Sequence, residues 1–332
     1  MNANCLSKYR GQIMGIATIM VALFHSSIVH ANDGIDLFFF VGDMGVDLFF
    51  LVSGLGMFFA WSKKPTLKQF YKNRFLRIVP TWFLVNLIVQ FENITSAQVD
   101  WWKEIKCFTG LSFLIDGNLY FWYVPAILIL YLLTPAIMKQ YEKNKKKSIF
   151  LFFLFWILAL GICAILRRMN YLILLFRIPI FILGIILGDY AHQQKTFPKK
   201  MMGGLIGVVL FGLFGEYVIK HTFSVYKFVR YDFKYLIYFA VASSICILFC
   251  YLFERYQMKM NFLKFVGGIS LEVYLLHEFL LREVTEKVGK VPFDSYGIIY
   301  NLLIFLVVII ISKVIHEIMG CFVRKVTKRG EK

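Results

Sequence analysis

Ionisable side chains inside long apolar stretches are where chemistry is first legible in this chain. His25 and Ser26 close the run Gly11-Gln-Ile-Met-Gly-Ile-Ala-Thr-Ile-Met-Val-Ala-Leu-Phe-His25-Ser26. A neutral imidazole moves a proton near pH 7, so His25 suits a general base; the alternative is an interfacial histidine satisfied by a carbonyl or water. Asp43 and Asp47 stand four residues apart, which places both carboxylates on one helix face. Two acids in lipid are expensive, so a cation or His25 is expected beside them. Arg74 and Arg77 share a face just before an apolar run. Paired guanidinia at that boundary suit bidentate phosphate binding, with plain anchoring to lipid headgroups as the alternative. Arg177 lies well inside another apolar run, two residues before Pro179, which should break the helix and free carbonyls. Ser270, Tyr274 and His277 fall at i, i+4 and i+7, a polar stripe that in a membrane span lines a cavity.

The elements that must hold these groups follow from composition. Of 332 residues 59% are hydrophobic and 17% charged, with a mean hydropathy of +0.67. An ordinary soluble domain is about 45–50% apolar and about 25% charged, so both departures point to lipid as solvent. The 36 Phe and 18 Tyr suit lipid-facing helices and their interfacial belts. A bilayer core takes roughly 20 mainly apolar residues. Ten stretches qualify, near 11–29, 37–61, 78–94, 119–138, 148–166, 171–190, 201–219, 235–253, 265–281 and 296–318. The first is read as a retained span rather than a cleavable signal. Pro80 then falls in the first turn of the third span, where proline is tolerated. The expected architecture is an all-α polytopic transmembrane bundle of about ten spans, residues 1–332 forming one integral-membrane domain with no soluble appendage. Gly42, Gly45, Ser53, Gly54 and Gly56 would let helices approach closely.

Orientation comes from the basic residues. The formal charge is +17, which in a soluble chain would raise nucleic-acid binding. Counted by alternate loops, 24 of the 37 Lys and Arg fall on the side of the termini and 11 on the other, which favours both termini in the cytoplasm and no nucleic-acid partner. Lys220, Lys227, Arg230 and Lys234 break the rule; either the span boundary there is misplaced or that loop attracts an anion. The six cysteines form no CxxC pair and read as small apolar residues, so no metal is expected. Gly-rich phosphate loops, HExxH and Gly-x-Ser-x-Gly are absent from the sequence.

Taken in order, these motifs resemble the acyltransferase type 3 family of multi-pass membrane proteins. The resemblance rests on His25-Ser26, Gly45-Val-Asp-Leu-Phe-Phe-Leu-Val-Ser-Gly54, Arg74-Phe-Leu-Arg-Ile-Val-Pro80, Leu119-Tyr-Phe-Trp-Tyr-Val-Pro125, Pro179-Ile-Phe-Ile-Leu-Gly184 and Ile269-Ser270 through His277. It implies transfer of an acyl group, usually acetyl from cytoplasmic acetyl-CoA, to a carbohydrate hydroxyl on the far side of the membrane. It implies further that His25 is the base or acyl acceptor and that Arg74 and Arg77 help hold the acyl-CoA, which is a co-substrate rather than a bound cofactor. Asp47 would orient His25 in the manner of a triad carboxylate. Asp43, Ser53, Trp122, Tyr274 and His277 would line the substrate path. The family usually carries an arginine where this chain has Met14; Arg10, one turn earlier on the same face, or Arg177 is expected to supply that charge.

The expected setting is the cytoplasmic membrane of a bacterium, with lipid and a cell-envelope glycan as partners. The reading leaves room for a separate extracytoplasmic acyl carrier and for a homodimer. The alternative is an exporter of polysaccharide or lipid-linked glycan with the same fold and no acyl transfer.

Overall fold

The computed structural model describes residues 1–26, 28–29, 38–39, 41–95, 99–166, 169–222, 227–289 and 291–329. Helices carry nearly all of them. The long ones are α1 (Arg10–Phe24), α2 (Gly45–Trp61), α3 (Leu67–Val89), α4 (Tyr123–Lys143), α5 (Lys145–Ile165), α6 (Ile178–His192), α7 (Lys199–Thr222), α8 (Lys227–Arg255), α9 (Ser270–Val288) and α10 (Ser295–Arg329). A two-residue parallel pairing joins β1 (Ile28–Val29) to β2 (Val291–Pro292).

Each of the ten expected stretches contains a described helix, the first running on into β1, but helicity is a weaker property than crossing. Seven described segments are long and apolar enough to span a bilayer: Val41–Trp61, Tyr123–Lys143, Lys145–Ile165, Leu172–His192, Lys199–Ile219, Lys234–Arg255 and Ser295–Thr327. The other three are α1, which is short, α3, whose first half carries Lys68, Lys72, Arg74 and Arg77, and α9, which carries charge along its length. The chain is an all-α polytopic helical protein. Its described residues form two compact groups, one of Met1–Ala17, Asp43–Thr66 and Leu130–Gly267, the other of Thr18–Gly42, Leu67–Ile129 and Gly268–Lys332.

In the first group α2 and α6 touch backbone to backbone. A Cβ added at Gly54 would stand 1.9 Å from the Phe181 carbonyl oxygen, and one at Gly184 would stand 2.1 Å from that of Leu51. Only glycine permits this spacing, which is how small residues bring membrane helices together without a hydrophobic driving force. The outward face of α5 presents Phe150, Phe155, Ile157 and Ile165. Exposed aliphatic and aromatic side chains of this kind are at home against lipid tails. Asn144 caps α5 by accepting from the Lys147 amide at 2.9 Å, satisfying one orphan donor of its first turn.

In the second group α9 packs against both α10 and α3. Helix α3 starts at Leu67, earlier than the apolar run, so Pro80 lies in its interior instead of its first turn. The amphipathic stretch around Lys68, Lys72, Arg74 and Arg77 continues the helix through the boundary. The ring removes one backbone donor there, the usual origin of a kink.

Candidate functional site

Three groupings of the anticipated residues emerge, one in the first compact group and two in the second. The first grouping is a buried charge cluster. Arg177 is fully buried immediately before α6, where Pro179 occupies the opening turn. Its Nη2 donates to Asp43 Oδ1 at 3.0 Å, and its Nε lies 3.4 Å from Asp47 Oδ2. Nη1 donates to the Ile173 carbonyl at 3.2 Å, one of the carbonyls released by the interruption before α6. Lys234 Nζ meets Asp43 Oδ2 at 2.7 Å, and the Tyr235 ring lies beneath the guanidinium with its centroid 4.3 Å away. Two carboxylates against two cations make a neutral cluster, the condition under which buried charge is tolerated.

This arrangement revises one expectation and sharpens others. Residues 220–234 were expected to form an extramembrane loop; instead α8 begins at Lys227 and Lys234 is buried within it. The apolar segment itself is Lys234–Arg255, within two residues of the expected 235–253 at each end; what the sequence did not reveal is that Lys234 is buried, because a lysine reads as a loop residue until its carboxylate partner is known. Asp47, expected beside His25, has Arg177 as its ion-pair partner, and the Arg177 guanidinium faces both aspartates. Arg10 lies over α2, its Nη1 3.2 Å from where a Cβ at Gly56 would sit. Ser53 is half-buried on α2 and Met14 is half-buried on α1.

The second grouping is the arginine pair. Arg74 and Arg77 line one groove of about 370 Å³ together with Asn73, Thr81, Glu272 of α9 and His316 of α10. Glu272 is 5% exposed and accepts from His316 Nδ1 at 3.0 Å. The opposed carboxylate and imidazole frame the groove while both guanidinia remain on its wall. Neither Glu272 nor His316 had been singled out; their only signal was a charged residue near the end of an apolar run.

The third grouping holds the imidazoles. His25 follows the last turn of α1, and its ring centroid is 5.1 Å from that of His277 on α9, edge to face. The Tyr274 ring is 5.9 Å from His277 and 5.2 Å from Tyr123, extending the stripe. His277 is 1% exposed. Its Nδ1 meets the Val273 and Tyr274 carbonyls at 3.0 and 2.7 Å. Both are acceptors, so Nδ1 carries the hydrogen. Nε2 then presents a lone pair, and it has no hydrogen-bond partner among the described residues. A fixed tautomer with a free basic nitrogen is what proton transfer requires. Trp122, expected nearby, is half-buried with its ring 6.4 Å from those of Phe113 and Tyr123.

A family model described as an acyltransferase domain matches residues 13–317 of the chain. The chain belongs to the acyltransferase type 3 family. It is an acyltransferase, and its apolar helices make it a multi-pass membrane protein. No curated protein and no solved structure matches it. The matched span contains both groove arginines, Glu272 and His316, both imidazoles and the buried charge cluster, so these residues all belong to the acyltransferase domain.

Proposed function

We propose that this acyltransferase moves an acetyl group from cytoplasmic acetyl-CoA to a hydroxyl of a cell-envelope carbohydrate in a bacterial cytoplasmic membrane. One observation carries the reading. Helix α9 bears Glu272 on the arginine groove and, five residues on, His277 in ring contact with His25. Five residues advance a helix by about 7.5 Å, so one rigid element reaches both the arginine groove, through Glu272, and the imidazole beside His25.

Arg74 and Arg77 hold the phosphates of the donor, since planar guanidinia match phosphate oxygens two at a time. His25 is the general base. The acceptor oxygen attacks the thioester carbonyl carbon, the carbon–sulfur bond breaks, and an ester bond forms. The hydroxyl proton passes to the His25 imidazole and from there to the departing thiolate, leaving free CoA thiol. His277, with its hydrogen fixed on Nδ1, stands beside His25 as a second imidazole on the proton path, and Tyr274 flanks it. The Asp43, Asp47, Arg177 and Lys234 cluster keeps the first group of helices in register and takes no part in proton transfer.

The test is thiol release from acetyl-CoA by the purified full chain in detergent, with and without envelope glycan. Glycan-dependent release, abolished in His25→Ala, is the expected result. An exporter would bind glycan and release no thiol, and that result overturns the proposal.

A further inference from the structure

The second compact group contains another cavity, of about 300 Å³, that no step above uses. Its wall includes Trp82 and Asn86 from α3, Gln90 just past its end, Asn118 and Tyr120 from the segment before α4, and Glu283 from α9. Ligand pockets run from about 300 to 1,000 Å³, so the space suits one small ring. Thr81 lines the arginine groove and the next residue, Trp82, lines this cavity, so the two open from neighbouring positions of α3, with Arg74 and Gln90 sixteen residues apart at their far sides.

The wall has unused hydrogen-bonding capacity. Trp82 is 4% exposed, and its Nε1–H has no partner among the described residues. Asn86 donates from Nδ2 to the Trp82 carbonyl at 3.0 Å, leaving Oδ1 to accept. Gln90 Oε1 accepts from Asn93 Nδ2 at 2.7 Å, leaving the Gln90 amide hydrogens to donate. The lining therefore offers donors and acceptors in alternation beside aromatic faces. Lys103 opposes Glu283 in charge, so the wall favours a neutral occupant. The backbone is also held under strain here, with Phe121 at φ +56° and its ring tilted against Tyr120, the centroids 4.1 Å apart. A bulky residue in that conformation costs free energy that the surrounding structure must supply.

We infer that this cavity is the acceptor subsite and that it binds a neutral, polyhydroxylated sugar ring. A pyranose carries donors and acceptors around its rim and apolar C–H faces that stack on indole and phenol. The inference rests on the acyl-transfer reading for the direction of flow. Along α9 the two sites are bridged by chemistry: Glu272 stands at the arginine groove, Glu283 at this cavity, and His277 between them in sequence.

The test uses the full chain in detergent and a panel of methyl hexopyranosides. Binding is read by saturation-transfer NMR, and acetyl-CoA consumption is followed with the same glycosides. Gln90→Leu removes the amide, and Trp82→Phe keeps the ring but removes the Nε1–H. Each is expected to weaken glycoside binding and raise the acceptor KM at least tenfold, with the KM for acetyl-CoA unchanged within twofold, which also shows that the variant is folded. Wild-type protein that binds no glycoside in the panel, or variants that bind it as tightly as wild type, overturn the subsite. If glycosides bind and the variants lose them while no acetyl-CoA is consumed, the subsite stands and the acyl-transfer reading falls. If acetyl-CoA is consumed and the variants keep the wild-type acceptor KM, the acyl-transfer reading stands and the subsite falls.

Discussion

His277 shows what a single side chain gains from its surroundings. Two backbone carbonyls fix its hydrogen on Nδ1, and burial keeps Nε2 free of protein partners among the described residues. Replacing it with glutamine keeps a side chain of similar reach but removes the basic nitrogen. We expect His277→Gln to lower kcat about 10²-fold or more, the scale on which a positioned proton-transfer group contributes, with the KM for acetyl-CoA unchanged. Steady-state kinetics at saturating donor check this, and a wild-type kcat would remove His277 from the proton path. Asp47 makes a different kind of prediction. Its carboxylate is fully buried against Arg177, so Asp47→Asn leaves a surplus positive charge in the cluster. The expected cost is about 3–5 kcal/mol, read as a lower midpoint of thermal unfolding in detergent. Adding Arg177→Gln should recover part of that loss, because the surplus charge goes with it. Most of these residues were legible in the sequence, because an ionisable group in an apolar run announces itself. Their partners were not: Asp47 could be assigned to His25 or to a cation with equal chemical logic, and only helix packing chooses. Lys234 was hidden for the same reason, since a lysine just before an apolar run looks like the last residue of a loop.

At the scale of elements, the contact of α2 with α6 rests on two glycines, each occupying the place where a Cβ would strike the other helix's backbone. A carbonyl oxygen cannot swing aside as a side chain can, so a larger residue must part the helices. Gly54→Val or Gly184→Val should therefore cost more than the usual 1–3 kcal/mol of an overpacked core, because backbone must move. Gly204 on α7 has open space where a Cβ would go; Gly204→Ala should leave stability unchanged or raised by up to about 1 kcal/mol. Unfolding midpoints of the three variants in one detergent decide the matter, and equal midpoints would contradict the packing. Gly54 stood out in the sequence among the small residues of its run, whereas its partner α6 did not. The apolar runs told where helices form, since 3.6-residue structure with internal hydrogen bonds is what lipid permits. They told less about where helices begin. The start of α3 at Leu67, thirteen residues before Pro80, was concealed by the basic residues that hydropathy assigns to a loop.

For the molecule as a whole, the excess of basic charge becomes a statement about orientation. On the ten-span reading 24 of the 37 Lys and Arg fall in segments on the side of the termini, and such residues resist translocation. With Lys234 drawn into the buried cluster, the one group of lysines and arginines that opposed this assignment loses a member. If both termini are cytoplasmic, the turn containing Lys64 and the run containing Lys146 face the cytoplasm, while Lys106 on the helix Trp101–Thr109 faces outward. Single cysteines placed by Lys64→Cys, Lys146→Cys and Lys106→Cys, in a chain whose own six cysteines are replaced by serine or alanine, test this in intact cells. A membrane-impermeant maleimide should label Lys106→Cys directly and the other two only after permeabilisation. Under the proposed function that orientation would turn the Arg74 side of α3 towards the cytoplasm and Gln90, just past its C-terminal end, towards the opposite face. Direct labelling of Lys64→Cys together with protection of Lys106→Cys would invert both assignments, and the donor would then face the wrong compartment for its chemistry.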